Sequence, residues 1–403
     1  LQGKIREIIS TFYTKMDAEK FTKMQTNFDI PFKNIIEVGQ QTMLDQKLFS
    51  VSWILSRFCN YNCSYCWPYA HSNKADHRPL EQYKQTIDEI KRQARDNGFT
   101  DFHFSFSGGE PTAYKKFLEL IEYYNQDPDT TYQSIHMTTN LSPGMKWWER
   151  WLDATKQLSR RSITASFHHE FANEQEFGDK ILMLTNRDVF VTINQVMVPE
   201  LFDELYQRCK RFHERGINVT LKPQSDPTAS FIVDGYTDEQ KELLQQGFPQ
   251  QFPQKYYNNF DSFESNWSDR VDNKIYQLKL IDNKKKEYYL DQAERLNAFG
   301  FNKFQNWTCN AGFQSCIVRE PGGEVKRSYS CHDQPLGSID EGFNLFKTAM
   351  PCITPSCVSS ADSKIPKKKE CPCGRSPTGR CCGWHNLSEE DYKKKLEEYY
   401  ADV

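Results

Sequence analysis

Thirteen cysteines stand in this chain of 403 residues, and their spacing rather than their number carries the chemistry. Cys59, Cys63 and Cys66 fall within Cys-Asn-Tyr-Asn-Cys-Ser-Tyr-Cys, Cys209 stands alone, and nine more lie between Cys309 and Cys382. A secreted disulfide scaffold spreads its bridges through a small, core-poor domain, whereas the long middle of this chain is nearly free of cysteine. An odd count would also leave one thiol over. Clustered thiolates are soft ligands suited to iron-sulfur or zinc. Three on one loop grip a cluster from one side and leave one position open, so that a substrate or cofactor can bind the metal directly. Taken alone, the same spacing also fits a zinc half-site.

A second constellation is Ser107-Gly108-Gly109-Glu110-Pro111, where glycines let the backbone approach a ligand and Glu110 offers a carboxylate. By itself it also reads as a helix-entry turn. The third lies near the end of the chain. Cys309, Cys316, Cys331, Cys352 and Cys357 surround a hairpin whose turn is Pro321-Gly322-Gly323. Four of these five would complete one cluster with no open site, fit for electron transfer or structure. Cys371, Cys373, Cys381 and Cys382 add a CxC and a CC pair, which suit a second such cluster, a structural zinc or an unligated end.

These residues need elements to position them. From Leu48 to Gln224, short β-rich apolar runs alternate with charged stretches of helical period. The runs are LFSVSWILSRF, TDFHFSFSGG, TYQSIHMTTN, RSITASFHH, DVFVTINQVMV and INVTLKPQ. Helices are predicted near 80–96, 114–125, 144–158, 173–185 and 199–214, each long enough for a crossover between parallel strands. Such alternation predicts an α/β fold, a partial parallel (β/α)6 barrel, with chemistry on the loops leaving the carboxyl ends of the strands. The three-cysteine loop directly follows the first strand. Residues 1–47 read as an amphipathic helical extension, 48–235 as the barrel, 236–300 as a polar connector with helical pattern at 237–246 and 285–298, and 301–403 as a small metal-organised domain built on a β-hairpin and a helix.

With CxxxCxxC after the first strand and Gly-Gly-Glu-Pro closing the second, the chain resembles the radical S-adenosylmethionine (SAM) superfamily. The resemblance covers Leu48 to Gln224. It implies a [4Fe-4S] cluster on Cys59, Cys63 and Cys66, whose free iron is chelated by S-adenosylmethionine. Reductive cleavage then yields a 5'-deoxyadenosyl radical that abstracts a substrate hydrogen. On the matching positions, Gly108, Gly109, Glu110 and Pro111 would approach the methionine, Tyr65 the adenine, Asn140 and Ser166 other parts of the cofactor, and Asn194 and Gln195 on one strand its ribose or carboxylate. The C-terminal cysteines resemble the SPASM and twitch extensions of that superfamily, which implies two, or with the last four cysteines three, clusters in all. The last four depart from the usual run of those extensions. An electron donor such as flavodoxin or ferredoxin is implied as partner.

His168 and His169 follow the fourth strand on the expected active face, where they could touch substrate, move a proton or only cap the next helix. Many peptide-modifying relatives carry Ser-x-Asp-Gly where this chain has Ser166-Phe167-His168-His169. That departure favours a small molecule such as a sugar derivative, oxidised or epimerised, over the maturation of a ribosomal peptide. A non-catalytic iron-sulfur or zinc protein is the reading from another class. Cys209 reads as a buried small hydrophobe, Lys222 as a strand end that could hold a carboxylate or phosphate but is more often simply solvated, and Lys367 to Lys369 as a solvated loop. A net charge of −3 from 51 basic and 54 acidic residues gives no field to gather nucleic acid or an acidic membrane. No apolar run is long enough to span a membrane, so a cytoplasmic protein is expected. The chain begins at Leu1, which leaves an upstream segment or leader open.

Overall fold

A computed structural model describes residues 30–40, 43–44, 47–67, 71–130, 132–227, 232–248, 278–290, 293, 296, 300–331, 335–357, 359–369 and 384–401. The six expected runs are parallel strands: β2 (Leu48–Ile54), β3 (Asp101–Ser107), β4 (Gln133–Thr139), β5 (Arg160–Ser166), β6 (Phe190–Met197) and β7 (Asn218–Pro223). They pair in chain order. Helices α1 (Leu80–Asp96), α2 (Phe117–Asn125), α3 (Met145–Ala154), α4 (Glu174–Thr185) and α5 (Phe202–Glu214) cross between them. Each helix exists because its apolar residues recur along one face. On α1, Leu80, Tyr83, Ile87, Ile90 and Ala94 are buried, a spacing of three and four. Cys209 lies within the core of α5, as a small hydrophobe.

The strands have two unlike faces, set by the period of two. Phe102, Phe104 and Phe106 of β3 are fully buried toward the helices. The alternate residues His103, Ser105 and Ser107 line an inner cavity of about 510 Å³. The same holds for Ser50 and Ser52 of β2, and for Thr192 and Asn194 of β6. An apolar outer face and a hydroxyl-rich inner one are what curl a parallel sheet around a ligand space instead of a packed core.

The barrel does not close. Beyond β2 the sheet continues through β11 (Ser315–Arg319), which runs parallel to β2, and then through β12 (Glu324–Lys326), β13 (Pro335–Ser338) and β14 (Gly342–Phe343). The C-terminal hairpin is therefore an extension of the barrel sheet, at its open edge. Arg78, just past the cysteine loop, pins it by ion pairs to Glu320 and Asp340.

The remaining strands build a second, six-stranded sheet in the order β15 (Met350–Pro351), β10 (Thr308–Cys309), β16 (Lys367–Lys368), β1 (Ile35–Gly39), β8 (Leu278–Asp282) and β9 (Glu287–Leu290). Two expectations change here. Ile35–Gly39 is a strand between β16 and β8, not part of a helix, and Glu287–Leu290 is a strand where helical period was read. Among the described residues of the connector, only α6 (Asp238–Gln246) matches the expected helix, with Thr237 and Gln240 forming its capping box. The short helix α7 (Ser360–Lys364) and the terminal α8 (Glu389–Ala401) complete the described elements. Residues 1–29 and Cys371, Cys373, Cys381 and Cys382 lie outside the described residues. Among the described residues, no helix is long and apolar enough to cross a membrane.

Candidate functional site

Cys59, Cys63 and Cys66 occupy the loop leaving the carboxyl end of β2. Its turns are fixed by backbone: the Cys59 N–H donates to the Ser72 carbonyl at 3.3 Å, the Cys66 N–H to the Cys63 carbonyl at 3.1 Å. Asn73 Nδ2 donates to the Cys59 carbonyl at 2.7 Å. Burial pushes the Cys59 thiol up to about 11 and the Cys63 thiol up to about 12, and each is raised further by a neighbouring cysteine. Thiols so placed are poor isolated anions. They become stable thiolates only against a cation, which is the fit expected of a cluster site. As they stand, no three His, Cys, Asp or Glu side chains among the described residues are grouped to hold a single metal ion, and a four-iron cube spreads its thiolates over separate irons.

The Gly108-Gly109 strap lies directly on this loop. A Cβ on Gly108 would stand 2.3 Å from the Ser56 carbonyl oxygen, and one on Gly109 2.1 Å from that of Phe58. Gly108 also has φ of +137°. The strap is clamped by Gly109 N–H to Ser56 O at 2.9 Å and Glu110 N–H to Phe58 O at 2.7 Å. The sequence assigned these glycines to close approach of a ligand; what approaches here is the backbone of the cysteine loop, and no side chain fits between.

Glu110 also differs from its expected part. Its buried carboxylate accepts from the Thr112 N–H and hydroxyl at 3.0 and 2.6 Å, from the Thr139 hydroxyl at 2.7 Å and from the Asn140 N–H at 2.6 Å. Burial pushes its pKa up, and these donors oppose that shift. A carboxylate offers about four acceptor sites, so this one is occupied in tying the ends of β3 and β4 together. Pro111 opens the short helical turn that follows. Asn140 in turn reaches the cysteine loop, donating from Nδ2 to Asn60 Oδ1 at 2.9 Å. Replacing Glu110 by Ala strands four buried donor groups, which we expect to cost about 3 kcal/mol of stability or more; Gln, keeping one acceptor oxygen, costs about half of that. Chemical unfolding of the two variants checks the order.

His168, after β5, sits with Nδ1 3.2 Å from Cys63 Sγ and 2.9 Å from the Tyr65 hydroxyl. Burial lowers its pKa to about 4, so the ring is neutral at pH 7. His169 stacks on Tyr65 with centroids 5.1 Å apart. Glu170 accepts from the Ser64 N–H at 2.9 Å and from its hydroxyl. His168, His169 and Glu170 are thus tied to the cysteine loop, and Tyr65, His169 and Glu170 line a second cavity of about 270 Å³. Ser166 ends β5 in register with Asn194. Gln195 departs from expectation. It is fully buried on the helix side of β6, with Oε1 lacking a partner, while Asn194 is the residue that lines the inner cavity. Period two allows one of two neighbours, never both, to face inward. Lys222, expected in solvent, lines that cavity as well.

The C-terminal thiols divide. Cys309 on β10, Cys352 after β15 and Cys357 share the core of the second sheet. Burial raises all three, Cys357 to about 12, and each is raised further by neighbours among Cys309, Cys331 and Cys352. Thr354 donates to Cys331 Sγ at 3.5 Å. Cys316 stands apart on β11, in the barrel-side core, raised by burial alone. Sequence reasoning missed Lys367. It is no solvated loop residue but a 1 % exposed strand residue whose Nζ donates to the Asp362 and Ile365 carbonyls at 2.6 and 2.8 Å. Its ammonium lowers the Cys309, Cys352 and Cys357 thiols against the effect of burial.

With this geometry in view, comparison with known proteins is specific. The chain is 26% identical over 165 residues to the GTP 3',8-cyclase of Pasteurella multocida (strain Pm70), which covers 39% of this chain and 45% of that protein. It is 36% identical over 75 residues to the mycofactocin maturase MftC of Mycolicibacterium smegmatis (strain ATCC 700084 / mc(2)155), 18% of this chain and 17% of that one. The chain thus spans less than half the length of these curated relatives. A solved structure of anSMEcpe with bound AdoMet aligns over 75% of this chain and 80% of its own, at 18% identity and a TM-score of 0.44. The sequence model of the radical SAM superfamily matches residues 53–246, the segment that holds both the cysteine loop and the Gly-Gly-Glu-Pro strap, and that segment is a radical SAM domain by this match.

Proposed function

We propose that Cys59, Cys63 and Cys66 hold a [4Fe-4S] cluster with one open iron, and that the protein uses S-adenosylmethionine there to oxidise or epimerise a small molecule such as a sugar derivative. The observation that carries this reading is the stacking of the cysteine loop and the glycine strap over one end of a cavity lined by hydroxyls. When bound, the cluster and S-adenosylmethionine supply one-electron cleavage and hydrogen abstraction. The chain's own residues do the rest. Gly108 and Gly109 seat the strap on the loop, Glu110 fixes the ends of β3 and β4, and Tyr65 and His169 wall the smaller cavity beside the loop.

A cavity of about 510 Å³ is of the size that encloses a small molecule. We further propose that Cys309, Cys331, Cys352 and Cys357 hold a closed auxiliary cluster that passes an electron, with Lys367 offsetting its negative charge. Flavodoxin or ferredoxin is the class of donor that fits. The resemblance to a maturase supports a second reading, in which the substrate is a peptide.

Anaerobic reconstitution with iron and sulfide, followed by dithionite and S-adenosylmethionine, is expected to release 5'-deoxyadenosine. No release from protein with verified clusters overturns both readings. Mass spectrometry of products formed from candidate sugars or peptides separates them.

A further inference from the structure

We propose that Lys367 is the counter-ion of the auxiliary centre on Cys309, Cys331, Cys352 and Cys357, and that its ammonium, donating to one of the thiolates, sets the reduction potential of that centre. This rests on the reading of those four cysteines as a closed cluster, and it names the residue that tunes it.

A missing partner is the first argument. Among the described residues four lysines are buried: Lys91, Lys180, Lys279 and Lys367. Three have a carboxylate, Asp127 for Lys91 at 2.7 Å, Glu176 for Lys180 at 2.8 Å and Glu287 for Lys279 at 2.7 Å. No carboxylate among the described residues pairs with Lys367, which is 1% exposed. Its Nζ donates to the Asp362 and Ile365 carbonyls and lies 5.0 Å from the centre of the Phe304 ring. The Asp362 carboxylate is engaged elsewhere, accepting from the Tyr329 and Ser330 N–H groups at 3.1 and 2.6 Å. An ammonium has three donors, so one N–H is left over. A buried cation held only by neutral groups calls for an anion.

Placement is the second. The antiparallel register of β10 and β16 sets Lys367 directly opposite Cys309. Both side chains therefore leave the same face of the sheet, with Cβ atoms about 5 Å apart. On that face Cys309 shares a core with Cys352 and Cys357. The ammonium reaches all three thiols, lowering each against the effect of burial. Lys368, the next residue on β16, takes the opposite face by the period of two and is exposed.

Charge is the third. Four thiolates make a [4Fe-4S] centre anionic, and the uptake of one electron makes it more so. A fixed ammonium with an N–H on sulfur favours the reduced state and so raises the potential. The location gives that potential a use. Tyr329, Ser359 and Ile365 line the inner cavity, and they stand two residues from Cys331, Cys357 and Lys367 respectively. The centre is thus built into one wall of the cavity, as the neighbouring acceptor for an electron that leaves it.

The test uses the reconstituted full chain carrying Cys59→Ala, Cys63→Ala and Cys66→Ala, so that the remaining iron is C-terminal, with electron paramagnetic resonance recorded at set potentials. Lys367→Met, similar in volume and uncharged, is expected to lower one midpoint potential by about 59 mV or more, a tenfold shift of a one-electron equilibrium. Lys367→Arg keeps the charge and should shift that equilibrium by less than about threefold. Lys368→Met, on the solvent side, should shift it by less than about twofold. An unchanged or raised potential in Lys367→Met overturns the proposal, and so does an equal shift in Lys368→Met. Where Lys367→Met loses the iron, its retention in Lys367→Arg supports the role of the charge and its loss from both overturns it. A parent chain without C-terminal iron overturns the cluster reading itself, and the proposal with it.

Discussion

Replacing any one of Cys59, Cys63 and Cys66 by Ala is expected to lower 5'-deoxyadenosine formation by more than about 100-fold, because even the outer partners of metal ligands cost 10- to 100-fold when removed and these thiols would be ligands themselves. The three are not interchangeable with any nearby donor. His168 Nδ1 lies 3.2 Å from Cys63 Sγ, but it also faces the Tyr65 hydroxyl at 2.9 Å and serves that pair. Two remaining thiolates cannot retain a cube that already lacks a fourth protein ligand, so bound iron should fall by about 4 per chain along with activity. Cys209→Ala is the control. That thiol is 1% exposed within α5 and lines neither cavity, so its loss should cost a little stability and no iron. Iron and product should move together for the loop cysteines. A triple variant that still cleaves S-adenosylmethionine would move the site elsewhere.

Much of this arrangement was legible in the sequence because hydrophobic period and helix caps are local. All six parallel strands and the five crossover helices were found, and with them the placement of the cysteine loop after β2 and the strap after β3. What was not legible depends on partners distant in the chain. Ile35–Gly39 reads as part of an amphipathic helix until it is seen to pair with β16 and β8, more than two hundred residues away. The hairpin of β8 and β9 did leave a signal: Asp282 and Asn283 interrupt the apolar pattern between its strands, and Asp282 Oδ1 accepts from the Lys284 and Lys286 N–H groups at 2.8 Å, an aspartate turn. Gln195 and Asn194 are adjacent in sequence and opposite in space, and only the register of β6 says which faces inward. Lys367 is the plainest case. A run of three lysines reads as solvent-exposed, and its burial follows from strand pairing with Val38 and Cys309.

The same distinction between spacing and placement governs the C-terminal thiols, where the sequence offered five candidates for four positions. Cys309, Cys352 and Cys357 are each raised by neighbours among Cys309, Cys331 and Cys352, while Cys316 is shifted by burial alone and lies on the strand that joins the hairpin to β2. Backbone holds the set in place: the Cys352 N–H donates to the Trp307 carbonyl at 2.7 Å and the Cys357 N–H to that of Asn302 at 2.8 Å. Serine replaces the thiol at nearly the same volume but is a hard, weakly acidic ligand, so each of the four variants to Ser should lose about 4 iron per chain and the matching absorbance. Cys316→Ser should lose none, because its neighbour on β2 is Val51 and it belongs to the barrel-side core. Loss of iron from Cys316→Ser, or its retention in the other four, would overturn the assignment. A chain ended after Lys369 then reads the tail: about 8 iron before and after means that the last four cysteines hold no cluster, and a fall from about 12 to about 8 means that they hold a third.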